Sequence, residues 1–230
     1  MISPRMLALI GEWMPQLIEA AGYTLKMTVL AYMLGAVIGL ALALGGMARQ
    51  RWIVICCRGY IEFVRGTPTL TQLFLVYFGL TSFGIALPSF EAAVVTLGLH
   101  YAAYMAEIYR SGISSVHGGQ QEAAQAIGMT RGEAMRYIIL PQSLRVILPP
   151  MANSAISLLK DTSVASLISA PEIMLRANDL ASQYYMPMQL YLITGAMYFV
   201  LAYPLSLGVR YLEWLTSRGH RSTIAGPAAG

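Results

Sequence analysis

Leu25–Met47 reads LKMTVLAYMLGAVIGLALALGGM, with a single charge, Lys26, near one end. A helix rises about 1.5 Å per residue, so roughly 20 apolar residues cross the ~30 Å hydrocarbon core of a bilayer. This stretch meets that length and is the clearest of five charge-poor intervals. The second is Gly66–Phe90, with Leu70–Leu80 at its centre and Pro68 and Pro88 near its ends, where proline is tolerated. The third runs from about Glu91 to Tyr109 and carries His100. The fourth, Val146–Ile168, is interrupted by Lys160 and Asp161, and the fifth covers about Met188–Val209. The fold expected is an all-α integral membrane protein with five transmembrane helices in one domain, residues 1–218, and a short tail, 219–230.

Composition agrees with lipid as the solvent. Of 230 residues 57% are hydrophobic and 11% charged, against about 25% charged in an ordinary soluble domain. The net charge of +4 could suggest nucleic acid. The basic residues instead fall in short segments beside apolar runs, which favours membrane orientation over a nucleic-acid partner. Arg49, Arg51, Arg58 and Arg65 follow the first span. Arg110, Arg131, Arg136 and Arg145 lie between the third and fourth, and Arg210, Arg218 and Arg221 follow the fifth. The bias places the N-terminus outside and the C-terminus in the cytoplasm. Cys56 and Cys57 are adjacent, on the cytoplasmic side, and imply no disulfide framework. Met1–Ile10 has no sustained apolar core before Glu12, so a cleaved signal peptide is not expected.

The segment of about residues 114–141 is too long for a tight connection, so it should be folded. Gln120–Ile127 is predicted as a short helix, small at Ala123, Ala124 and Ala126, and Gly128 is its natural stop. Thr130 and Glu133 have the spacing of a capping box opening a second helix, which Pro141 closes or bends. Such a knob suits a soluble partner, although an amphipathic connector would show the same helix pattern.

The residues decide between these: Glu122-Ala123-Ala124, then Gly128, Ile138 and Leu140-Pro141 at fixed spacing. This pattern resembles the EAA loop of ABC importer permeases, a type I importer fold in which the loop docks on the ATPase subunit as a coupling helix. Arg65-Gly66-Thr67-Pro68 with Gln72-Leu73-Phe74, Ala103-Tyr104 with Glu107 and Arg110, and Lys160-Asp161-Thr162-Ser163 resemble the polar amino acid branch. The resemblance covers roughly Gly22–Arg210. It implies a bacterial inner-membrane protein with two ATPase subunits, a second permease subunit (the same or a related chain) and an extracytoplasmic binding protein as partners. No Gly-Lys-Ser/Thr P-loop is present, since Lys26 and Lys160 each follow leucine. This chain is therefore expected to be non-catalytic and cofactor-free, with ATP and Mg bound by the partner.

Charges in hydrocarbon cost at least ~2.5–3.5 kcal/mol each, so Lys160 and Asp161 mark a pathway or an internal ion pair. By resemblance Asp161 is the candidate to meet a substrate ammonium. Asn153, Ser154 and Ser157 precede it by eight, seven and four residues, forming a polar stripe with Thr162 and Ser163 beyond. The stripe reads equally as interhelical hydrogen bonding. Permeases for basic amino acids often have an acidic residue where Ser154 stands, so a neutral zwitterion such as cystine is the expectation. His100 could carry protons or bind substrate, and is expected instead to bond a neighbouring helix. Glu107 and Arg110 should form an i,i+3 pair. Gly35 and Gly39 permit close helix approach. An ion-coupled carrier using Asp161, Lys160 or His100 is the competing function, but no internal repeat supports it. An intramembrane enzyme lacks its motifs.

Overall fold

The computed structural model describes residues 4–217, and every regular element within them is helical. The long helices are α1 (Pro4–Gly46), α5 (Ser89–Ala126), α7 (Leu140–Asp161) and α9 (Pro187–Ser217). Between them lie α2 (Arg51–Arg65), α3 (Thr69–Phe74), α4 (Leu80–Ser82), α6 (Arg131–Ala134) and α8 (Ile173–Tyr184). Leu75–Gly79 and Met135–Ile139 are π-helical, and Thr162–Ile168 is a 3-10 helix. The expected tail, 219–230 with Arg221, and Arg218 before it lie outside the described residues.

Helix α1 lies along α5 because its small residues let the two backbones meet. A Cβ on Gly39 would stand 2.8 Å from the Ala102 carbonyl oxygen, and one on Gly35 would stand 3.1 Å from that of Gly98. Contacts advance in step along both helices, so α1 and α5 run parallel. Helix α7 runs antiparallel to α5: Asp161 meets Tyr101, and Ile147 packs on Gly112. Met27, Leu73, Leu97, Met105, Ile113, Ile147 and Leu158 form the central core between α1, α3, α5 and α7. A second core joins α1, α8 and α9 through Trp13, Leu17, Leu180 and Leu190.

Several boundaries differ from the sequence reading, and charge explains most of them. Helix α1 starts some twenty residues before Leu25 and includes Glu12 and Glu19, which an uncharged interval could not contain. The second interval contracts to the apolar helix Thr69–Ser82, while the amphipathic α2 before it, with Arg51, Arg58, Glu62 and Arg65, was hidden by its charges. Gln120–Ile127 is no separate helix: Ile113 and Ala124 stay buried, and α5 continues unbroken to Ala126. The expected loop of about 114–141 is thus mostly helix, with only residues 127–130 outside helical geometry. Pro141 does not close its segment. It sits in the first turn of α7, where its missing N–H and ring are accommodated behind the π-helical Met135–Ile139. Leu9–Gly46 and Pro187–Thr216 are the two helices among the described residues that are both long and apolar enough to cross a membrane.

Candidate functional site

The chain between α2 and α3 breaks at Gly66-Thr67-Pro68, since Pro68 has no N–H to give and holds Thr67 away from helical geometry. Carbonyls at the end of α2 would lose partners there. Gln72 supplies one: its Nε2 donates to Val64 O at 2.8 Å and to Thr67 Oγ1 at 2.7 Å. That fixes the amide orientation, leaving Oε1 toward His100 Nδ1 at 3.1 Å. Oε1 can only accept, so Nδ1 carries the proton. In the neutral ring Nε2 then accepts from the Thr69 hydroxyl at 3.1 Å. His100 therefore does bond a neighbouring helix as expected, yet its ring also faces open space.

That space is a cavity of about 520 Å³ walled by Thr67, Pro68, Thr69, His100, Tyr101, Tyr104, Pro150, Asn153, Ser154, Ser157 and Asp161. Asp161 closes α7 and is held from across the cavity, its Oδ2 accepting from the Tyr101 hydroxyl at 2.7 Å. Of the stripe read in the sequence, Asn153, Ser154, Ser157 and Asp161 come together here. Thr162 and Ser163 do not. The Thr162 side chain is fully buried with its hydroxyl on Leu159 O at 2.8 Å, and Ser163 donates to Lys160 O at 2.7 Å, so both close the end of α7. Lys160 is exposed and forms no ion pair with Asp161.

Sequence reasoning weighed His100 as a substrate ligand but missed the opposite wall that it shares with Thr67–Thr69, Tyr101 and Tyr104. The signal was present as three ring residues at helical spacing, with centroids 5.2 to 6.1 Å apart. A second cavity of about 310 Å³ shares Tyr104 and Ser154 with the first and adds Arg65, Glu107, Ile108 and Ser111. The expected Glu107–Arg110 pair is formed at 2.7 Å. Among the described residues no three His, Cys, Asp or Glu side chains converge as a metal site requires.

At the far end of α5 the motif residues surround one turn. Gly128 takes φ +84°, its N–H bonding Gln125 O while that of Met129 bonds Ala124 O, both at 3.0 Å. This Schellman arrangement ends α5. The Thr130–Glu133 capping box then opens α6, with Thr130 N donating to Glu133 Oε2 at 2.8 Å. Glu122, Ala123, Gly128, Leu140 and Pro141 are exposed, Ile138 is half-buried, and Ala124 is buried beneath them. Ile127 projects at the tip with 76% of its surface exposed. Backbone and hydroxyl hydrogen bonds from Thr130 hold the Glu133 carboxyl below its ordinary pKa.

The chain as a whole is similar to known transport proteins. The family described as binding-protein-dependent transport system inner membrane component matches residues 33–217. A probable amino-acid ABC transporter permease, YckA of Bacillus subtilis (strain 168), is 40% identical over 190 residues, 83% of this chain and 84% of that one. The L-cystine transport system permease TcyB of the same organism is 35% identical, covering 83% and 82%. A crystal structure of an amino acid ABC transporter with histidines superposes with TM-score 0.86 at 39% identity, over 90% of this chain and 96% of that one. The MetNI methionine ABC transporter, at 19% identity and TM-score 0.71, shares the fold.

Proposed function

The chain belongs to the family of binding-protein-dependent transport system inner membrane components, and from that premise we propose that it forms half of the membrane passage for a polar amino acid. It is the permease subunit of an amino acid ABC importer, and ATP hydrolysis resides in a separate subunit. The observation that carries the passage is Asp161. A carboxylate at the head of an otherwise uncharged polar cavity, steered by Tyr101, is suited to a substrate ammonium.

The rest of the reading follows from charge and packing. Five passes are made by α1, by the run from α3 to α4, by α5, by α7 and by α9, with the N-terminus outside and the arginine-rich ends in the cytoplasm. The turn at Glu122, Ala123, Ala124 and Gly128, backed by Ile138, Leu140 and Pro141, docks on one of two ATPase subunits, which hold ATP and Mg. A second permease, identical or related, completes the path, and an extracytoplasmic binding protein delivers the amino acid. Closure of the ATPase pair moves the turns and reorients the helices around the cavity. Asn153, Ser154 and Ser157 offer uncharged hydrogen-bonding groups beside Asp161, which favours a neutral zwitterion, cystine among them.

The test is uptake into vesicles holding the permease–ATPase complex, with binding protein and a panel of labelled amino acids. Asp161→Asn should assemble normally and lower uptake about ten- to a hundred-fold, the value of one charge-assisted hydrogen bond. Wild-type rates in that variant would remove the cavity assignment.

A further inference from the structure

An amino acid carries two charges, and the upper cavity answers one of them. Asp161 is the acidic residue in its wall, both ring nitrogens of His100 are already engaged by Gln72 and Thr69, and the remaining side chains are uncharged. A zwitterion bound wholly within it would face a carboxylate at its ammonium end and no cation at its own carboxylate.

The adjoining cavity supplies the cation. Glu107, on its wall, is already engaged by Arg110, whose Nε and Nη2 donate at 3.0 and 2.7 Å. Arg65 is different. The ion pairs among the described residues are Arg110–Glu107 and Arg176–Asp179, so no described carboxylate lies within ion-pair distance of the Arg65 guanidinium, and Glu107 feels it only at longer range. It rests over the ring of Tyr104, 5.6 Å from the centroid. Tyr104 and Ser154 wall both spaces, which puts this cation at their junction.

We propose that Arg65 receives the α-carboxylate of the transported amino acid while Asp161 holds its ammonium, so that the molecule lies across the Tyr104–Ser154 junction. This rests on the cavity being the substrate passage. The spacing fits. Along α5, Tyr101 marks the level of Asp161, Tyr104 that of Arg65, and Glu107 the floor of the lower space, so the charges are separated by about 4.5 to 9 Å of helix rise. Two charge-assisted hydrogen bonds of ~2.8 Å each plus an N–Cα–C reach of ~3 Å fall inside that range. A guanidinium suits the task because its fork matches a carboxylate with two parallel bonds, and the tyrosine face holds its plane. The substrate side chain is then left facing Asn153, Ser157 and Thr67–Thr69, so selection among amino acids falls to uncharged polar groups.

The binding protein would impose its own preference, so the test leaves it out. The permease–ATPase complex in nanodiscs is titrated calorimetrically with L-cystine, L-glutamine and L-histidine and with the α-amide of each. Wild type should bind at least one acid about ten- to a hundred-fold more tightly than its amide. Arg65→Gln should bind acid and amide alike, and Arg65→Lys, which keeps charge but loses the fork, should fall between. A full acid preference in Arg65→Gln overturns the proposal. Asp161→Asn should weaken acid and amide equally; if it binds both as wild type does, the underlying cavity reading fails, whatever Arg65 does. Absence of any binding to wild type at millimolar concentration removes both.

Discussion

The turn between α5 and α6 and the cavity between α3, α5 and α7 are each held by a handful of hydrogen bonds, but their partners stand at very different distances along the chain. In the turn no partners are more than five residues apart: Met129 reaches Ala124, Gly128 reaches Gln125, and Thr130 and Glu133 satisfy each other. In the cavity Tyr101 and Asp161 are 60 residues apart, Thr69 and His100 31, and Gln72 and His100 28. The turn can form as soon as its own residues do. The cavity exists only once three helices have docked, so its shape answers to every contact that sets their separation, while the turn can travel as a rigid unit.

The largest effect should come from the contact that seats α5. Gly39→Leu puts a side chain where a Cβ alone would already stand 2.8 Å from Ala102 O and 2.9 Å from the Met105 Cβ. Helix α1 must move away from the helix that carries His100, Tyr101 and Tyr104. Overpacking of this kind costs about 1–3 kcal/mol and more where backbone is struck, so the purified complex should melt clearly below wild type. Gly22 has nothing within 4 Å of its Cβ position, and Gly22→Leu should melt as wild type. Equal melting of the two variants would mean that close approach of α1 and α5 does not hold the bundle.

A smaller effect separates the two regions directly. Gln72→Ala removes the group that satisfies Val64 O, Thr67 Oγ1 and His100 Nδ1 at once. Each stranded buried polar group costs about 1–3 kcal/mol, and the wall at Thr67–Thr69 should loosen. Amino acid uptake should fall several-fold while affinity for the ATPase subunit stays at the wild-type value. Loss of ATPase binding in the same variant would show that the turn is not independent of the cavity.

The same division governs what could be read from sequence. Gly128 as a helix stop and Thr130 with Glu133 as a cap are local signals that the structure has, although the helix that Gly128 ends is the long α5 and not a short Gln120–Ile127. Asn153, Ser154, Ser157 and Asp161 line one cavity because they share one face of one helix, which their spacing shows. Thr162 and Ser163 were carried along by adjacency in sequence, but α7 ends at Asp161 and tightens into a 3-10 helix that turns them away. Gly35 and Gly39 announced a close approach without naming α5 as the partner. Nothing local to residues 65 to 72 or 100 to 104 says that they face Asp161, and Arg65 entered the reading as one basic residue among several and as the start of a family motif, with no place in the cavity. Charge also misled: α2 and the first half of α1 are helical, but a search for uncharged intervals passes over both.

The smallest effect belongs to the turn and is read by pH. Glu133 accepts from Thr130 N and from its hydroxyl, which holds its carboxyl below the ordinary value of 4.5. A group whose folded pKa is depressed gives its full contribution above the unfolded value and loses it as pH falls through the folded one. The α6 cap should therefore be intact at neutral pH and loosen below about pH 4.5, where the unfolded carboxyl already takes up its proton. The measure is hydrogen-exchange protection of the amides of residues 131–134, corrected for intrinsic exchange, in wild type and in Glu133→Gln. Glutamine keeps an acceptor for the Thr130 N–H but cannot titrate. Wild type should lose protection on acidification and the variant should not. Because the partners are local, protection at Tyr101 and Tyr104 should stay level through the same titration, and a parallel loss there would join the two regions that the hydrogen-bond pattern separates.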